Sequence, residues 1–249
     1  MTERDALVDD LAAEQGELLA VVEALDPDDW FRPTPAWGWD VRDTIAHLAA
    51  TDEMAIATMK GGGGAINAVA DAAASTEDVT YQGVLRGRRL SGAEVARWWS
   101  GAQVAERQAL RALTPDTRVP WGLGMRAPSF VTARLMETWA HGLDVRAAVG
   151  ATVVDTDRLA HIAWLGTRAL PYAYSVAGRE MPVEPLRVEL VLPSGALWTW
   201  GPGDASARIT GTAGDYCRVF VQRLRVADTA VVAEGDAAQA ALEVARAFL

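Results

Sequence analysis

The chain has 249 residues, half of them hydrophobic, with a formal net charge of −10 and a pI near 4.8. That length is enough for one large domain or two smaller ones. The acidic balance argues against a nucleic-acid or anionic-membrane surface, either of which needs a basic patch, and the single cysteine, Cys217, excludes an intramolecular disulfide and a thiolate-rich zinc site.

The opening Met-Thr-Glu-Arg-Asp is acidic and has no signal-peptide pattern. No apolar run approaches the length of a membrane span, so a cytoplasmic protein with no membrane partner is expected. Residues 4–25 read as an amphipathic helix, because Leu7, Leu11, Leu18, Val22 and Leu25 recur at helical spacing. Asp26-Pro27 stops it, since proline restricts the residue before it. In the proline- and tryptophan-rich loop that follows, Trp37 and Trp39 are expected to plug one end of a core.

Asp40 reads as the N-cap of a second helix, from about Val41 to Met59. His47 lies beside its apolar stripe, four residues after Asp43. Gly61-Gly-Gly-Gly64 ends that helix; without a following Gly-Lys-Ser/Thr it reads as a linker rather than a phosphate loop. A short helix and a loop are expected over 65–90. Ser91-Gly-Ala-Glu94 is a capping box that opens a third helix through Leu113. A fourth helix begins at Pro128 or Ser129 and ends at Gly150.

This fourth helix carries Glu137-Thr-Trp-Ala-His141, a carboxylate and an imidazole one turn apart on one face. With His47 they form two imidazoles and a carboxylate, the ligand set of many catalytic zinc sites. A bundle interior is a known place for such ligands. Spacing alone leaves two readings open, a metal site and hydrogen-bonded core histidines. Asp43 and Asp144, helical neighbours of the histidines, are candidates to orient them. His161 and Cys217 read as packing residues.

A further helix is expected at 155–170, with Pro171-Tyr-Ala-Tyr174 extending it after a kink. After Pro182 the pattern becomes that of strands. Leu186–Leu192 and Ala196–Trp200 form a hairpin about Pro193-Ser-Gly195, and Ala207–Thr210 is a third strand. A helix at Asp215–Leu224, a strand at Ala230–Ala233 and a helix at Ala237–Leu249 close the chain. The expectation is therefore an α+β protein, mostly α, with a four-helix bundle over 1–178 and a small α+β domain over 183–249.

Trp39-Asp-Val-Arg-Asp-Thr-Ile-Ala-His-Leu48 and Met136-Glu-Thr-Trp-Ala-His-Gly-Leu-Asp144 together resemble the mycothiol-dependent maleylpyruvate isomerase family, one of the DinB-like metal-binding bundles. Trp198-Thr-Trp-Gly-Pro-Gly-Asp204, Ile209-Thr-Gly-Thr-Ala-Gly-Asp215 and Gln222-Arg-Leu-Arg-Val-Ala-Asp228 resemble its companion domain, related to sterol carrier proteins. The resemblance implies that His47, Glu137 and His141 hold a divalent metal, zinc first among them. It also implies that mycothiol is a co-substrate and that an arginine of the C-terminal domain binds a substrate carboxylate. Arg223 is the best match for that arginine, with Arg225 next.

The family includes isomerases, thiol S-transferases and chains of unassigned activity, and the form Arg134-Leu-Met-Glu-Thr-Trp-Ala-His141 is similar to an unassigned branch. The expected function is a metal-dependent, thiol-using isomerase or S-transferase on a small electrophile. A hydrolase or lyase on the same site, or a non-catalytic metal- or apolar-ligand-binding protein, stays open. So does the oligomeric state, a homodimer included.

Overall fold

The computed structural model describes residues 3–61, 76–121 and 124–247. Gly62–Gly64 of the glycine run and the helix expected from residue 65, up to residue 75, lie outside the described residues. The chain divides into two units, Met1–Val153 and Val154–Leu249.

Among the described residues of the first unit, four long helices bury one apolar stripe each. Helix α1 (Glu3–Glu23) buries Leu7, Val8, Leu11, Leu18 and Val22. A 3-10 turn at Asp29–Phe31 then seats Trp30 in the core. Helix α2 (Val41–Gly61) starts where expected: the Asp43 N–H donates to Asp40 Oδ1 at 2.7 Å, which satisfies one free amide of the first turn. Helix α3 (Thr76–Gly87) packs closely on α2. A Cβ at Gly83 or Gly87 would run into Ala50 or Ala46, so only glycine permits this approach.

Helix α4 (Gly92–Ala112) has the expected capping box, with the Glu94 N–H donating to Ser91 Oγ and the Ser91 N–H to Glu94 Oε2. Two short antiparallel strands, β1 (Arg118–Val119) and β2 (Met125–Arg126), lead into helix α5 (Ala127–Val149). Proline in its first turn lacks only an N–H that no helix would use there, and Gly150 ends it with φ 68°. Leu18, Val22, Trp30, Val41, Ile45, Leu48, Val95, Trp99 and Val145 form the core between α1, α2, α4 and α5.

The two loop tryptophans part company. Trp37 does not plug the core: it is 98 % exposed, at the tip of a turn in which the Trp39 N–H donates to Ala36 O and Gly38 takes φ 79°. Trp39 is partly buried against the imidazoles described below.

Helix α6 (Leu159–Val176) belongs with the second unit, not with the bundle that the sequence reading extended to 178. The reason is its buried face. Gly166 accommodates the Phe220 ring, and Leu159 O accepts from the Cys217 thiol at 3.5 Å. Both partners lie on helix α7 (Ala213–Phe220). Pro171 sits inside α6 without ending it.

The sheet of this unit runs β4-β3-β5-β6, with β3 (Leu186–Val191), β4 (Leu197–Trp200), β5 (Ala207–Thr212) and β6 (Val232–Glu234). The expected hairpin pairs Val188 with Trp200, and β3 also runs parallel to β5. Leu186, Val188, Leu190, Ala207 and Ile209 are buried on one face. On the other, Glu189 pairs with Arg187 and Arg208. Helix α8 (Asp236–Glu243) follows β6. Among the described residues no helix is long and apolar enough to cross a membrane.

Candidate metal centre

His47 comes from α2, and Glu137 and His141 from α5. Helical spacing puts Glu137 and His141 on one face, and the packing of α2 against α5 supplies the third group. Glu137 Oε2 lies 3.5 Å from His141 Nε2 and 3.8 Å from His47 Nε2. One donor atom from each of the three residues falls within 4.8 Å of the others. A tetrahedral zinc site with bonds of about 2.0–2.2 Å spaces its donors about 3.3 Å apart. The three groups therefore stand slightly wider than a bound ion would draw them. Their chemistry, two imidazole nitrogens and a carboxylate, suits a borderline-soft divalent metal.

Burial sets the charge states. His47 is 8 % exposed, and burial lowers its pKa to about 4, against the pull of Glu137. It is neutral at pH 7, as a metal ligand must be. Burial also works against protonation of His141, but Asp144 and Glu137 outweigh it and raise its pKa. Burial would raise Glu137, yet the two histidines and Arg134 hold its carboxyl well below the usual range. The Glu137 side chain keeps 20 % of its surface exposed, so the cluster reaches solvent on that side.

The predicted orienting carboxylates separate. Asp144 is buried, with Oδ2 3.3 Å from His141 Nδ1, close enough to attract a protonated ring, although Nδ1 makes no hydrogen bond among the described residues; Nε2 faces Glu137. Asp43 does not orient His47. Its carboxylate accepts from Arg88 Nε at 3.0 and 3.2 Å and from Nη2 at 2.7 Å. His47 Nδ1 has no hydrogen-bond partner among the described residues. Trp39 covers both imidazoles, its ring centroid 5.0 Å from that of His47 and 6.0 Å from that of His141.

Composition and spacing gave Trp39 only a packing role, and they did not single out Arg134, Asp52 or Glu106. Arg134 had one visible signal. It stands three residues before Glu137 on the same helix face.

In the second unit, Arg223 and Arg225 line an open cavity of about 600 Å³ with Gln222, Leu224 and Leu242. Arg223 Nη1 donates to Val221 O at 2.8 Å. Arg225 is largely exposed and holds Asp228 by two bonds, of 2.7 and 3.0 Å. Gln222 takes φ 58°, a left-handed conformation that most side chains avoid, and this bends the chain between α7 and the arginines. Burial pushes the Cys217 thiol well up, which removes it as a nucleophile.

Residues 11–146 match the family described as the mycothiol maleylpyruvate isomerase N-terminal domain. Two uncharacterized proteins, from two strains of Mycobacterium tuberculosis, are 39 % identical over 249 residues, covering 100 % of this chain and 97 % of theirs. Crystal structures of the mycothiol-dependent maleylpyruvate isomerase and of one of its mutants share the fold, with a TM-score of 0.62 at 16 % identity over 93 % of each chain. The chain belongs to the mycothiol maleylpyruvate isomerase N-terminal domain family.

Proposed function

We propose that the protein is a metal-dependent, mycothiol-using isomerase or S-transferase acting on a small electrophilic substrate that carries a carboxylate. The observation that supports it most is the convergence of His47, Glu137 and His141 from two helices. Family membership supports the thiol.

His47, Glu137 and His141 would hold the ion, zinc by preference for this donor set. When bound, it would supply a Lewis-acid position that favours the thiolate over the thiol at neutral pH. The protein's own groups prepare that position. His47 is kept neutral by burial. The Asp144 carboxylate stands behind the ring of His141, 3.3 Å from Nδ1. Trp39 keeps water from the imidazole faces and gives a flat apolar wall against which a substrate can lie. For an anionic group, the family resemblance points to Arg223, with Arg225 next; Arg225 holds Asp228 and Arg223 donates to Val221 O.

The test is metal analysis with mycothiol titration. The purified chain should take up one zinc, His47→Ala should lose it, and mycothiol binding should disappear after chelation and return with zinc. Full metal content in His47→Ala would refute the ligand set. Mycothiol binding that survives chelation would refute the thiol role of the metal. Turnover of maleylpyruvate and of generic electrophiles, with and without mycothiol, then separates isomerase from transferase.

A further inference from the structure

Arg134 stands on α5 about one turn before Glu137, and Thr51 and Asp52 stand on α2 about one turn beyond His47. Arg134 Nη2 donates to Asp52 Oδ1 at 2.5 Å and to Thr51 Oγ1 at 3.1 Å. Its Nε donates to Glu106 Oε1 of α4 at 2.9 Å. Gln15 of α1 donates to the other oxygen of Glu106 at 3.0 Å, and Trp99 Nε1 donates to Asp52 Oδ2 at 3.2 Å. The side chains of Arg134, Asp52 and Glu106 are 2 %, 1 % and 0 % exposed. Thr51 Oγ1 in turn lies 2.9 Å from the carbonyl of His47.

All four long helices of the bundle thus meet in one polar layer, directly beside the three-residue cluster. Desolvating a guanidinium and two carboxylates is expensive, and an apolar layer would hold four helices together at least as well. Stability alone therefore does not account for the layer. Its geometry offers another reason. It ties α2 to α5, the two helices that supply the ligands, through a planar fork that a flexible ammonium cannot reproduce.

We propose that Arg134 is a positioning residue for the metal site, holding α2 against α5 at the separation where His47, Glu137 and His141 share one ion. The inference rests on the metal reading above. It goes beyond it by assigning the preformed spacing to a residue that touches neither metal nor substrate.

The experiment compares the wild type with Arg134→Lys and Thr51→Val. It measures zinc affinity by chelator competition, the visible absorption of the cobalt-loaded protein, and the thermal stability of the metal-free chain. Arg134→Lys should bind zinc about 10–100-fold more weakly, the range seen when groups behind metal ligands are changed. Its cobalt spectrum should shift. Thr51→Val, which removes the link from Arg134 to the His47 carbonyl together with the hydroxyl's bond to Leu48 O, should change both in the same direction by about threefold, a fraction of that effect. A purely structural role would lower the melting temperature of the metal-free chain but leave the affinity and cobalt spectrum of the folded variant unchanged. That result overturns the proposal. If Arg134→Lys does not fold, wild-type affinity and spectrum in Thr51→Val overturn it. A wild type that binds neither metal refutes the underlying metal reading instead, and this inference falls with it.

Discussion

In the unit Met1–Val153 the interior holds Arg134, Asp52, Glu106, Gln15, His47, His141 and Asp144; in Val154–Leu249 the buried polar groups among the described residues are neutral, the hydroxyls of Thr167, Tyr174 and Tyr216 and the Cys217 thiol. Both units bury ample apolar surface, so the first does not need these groups to fold. Buried charges are retained only where they are paired, and they cost several kcal/mol of desolvation each even then. The bundle accepts that cost along one line, from the Glu106–Arg134–Asp52 layer through Glu137 to His141 and Asp144. In the second unit Arg223 and Arg225 instead line an open cavity. The difference separates a unit that buries charged groups from one whose described buried polar groups are neutral.

The sharpest way to break this comparison is to unpair the layer. Arg134→Met should destabilise the metal-free chain by about 3–5 kcal/mol in urea unfolding, because it leaves Asp52 and Glu106 buried with no cation between them. Burial and the neighbouring Glu106 already raise the Asp52 pKa well above its ordinary value, against the pull of Arg134. Replacing Asp52 and Glu106 by leucine as well would not fully restore stability. Trp99 Nε1 and Gln15 Nε2 would then lose their acceptors. A loss below about 1 kcal/mol for Arg134→Met would mean that water reaches the layer and that the bundle interior is not dry.

The second prediction uses pH. The folded pKa of His47 lies at about 4, below its ordinary 6.5, so the unfolded chain takes up this proton first as pH falls. The stability tied to neutral His47 is complete above 6.5 and is lost between 6.5 and 4, by about 3 kcal/mol. His141 has the opposite sign. Its raised pKa adds stability below 6.5 that is lost as pH rises through the folded value. Glu137, with its lowered pKa, loses its contribution only below the ordinary carboxylate range. In chelator, denaturation at stepped pH should show a steep acid limb from 6.5 to 4, and His47→Gln should flatten it. An unchanged limb would place the acid sensitivity elsewhere.

Much of the bundle was legible because its signals are local. The capping box at Ser91, the Asp40 cap, Gly150 after α5 and the 3.6-residue periodicity all fix helices by short-range chemistry. Glu137 and His141 were legible for the same reason, being one turn apart on one helix. His47 was not tied to them by spacing; its place depends on how α2 packs on α5, and the resemblance supplied that link. The layer was less visible still. Gln15, Asp52, Glu106 and Arg134 come from four helices, and each alone reads as an ordinary solvated charge or amide. Trp37 failed for the converse reason: an indole reads as core by composition, whereas a turn with a left-handed glycine beside it turned this one outward. The position of α6 was missed because an apolar helix face does not name its partner. The Gly166–Phe220 contact does, and it lies across more than fifty residues of sequence.

The smallest expected effect tests the other side of the comparison. Tyr216 is fully buried in α7, its ring 4.6 Å from that of Phe220, and its hydroxyl has no hydrogen-bond partner among the described residues. Burial pushes its pKa well up, consistent with a hydroxyl in an apolar surrounding. Phenylalanine keeps the ring contact and removes an unsatisfied polar atom, whose desolvation costs about 1–3 kcal/mol. Because the lost oxygen also leaves a small void, Tyr216→Phe should stabilise the chain by only about 1 kcal/mol, read as a rise in melting temperature. The sign matters more than the size. In the bundle, deleting one buried polar group from the layer unpairs others and destabilises the fold. Beside Phe220, deleting one unpairs nothing. A clear destabilisation by Tyr216→Phe would show that the hydroxyl is satisfied by bound water, and the second interior would then be polar too.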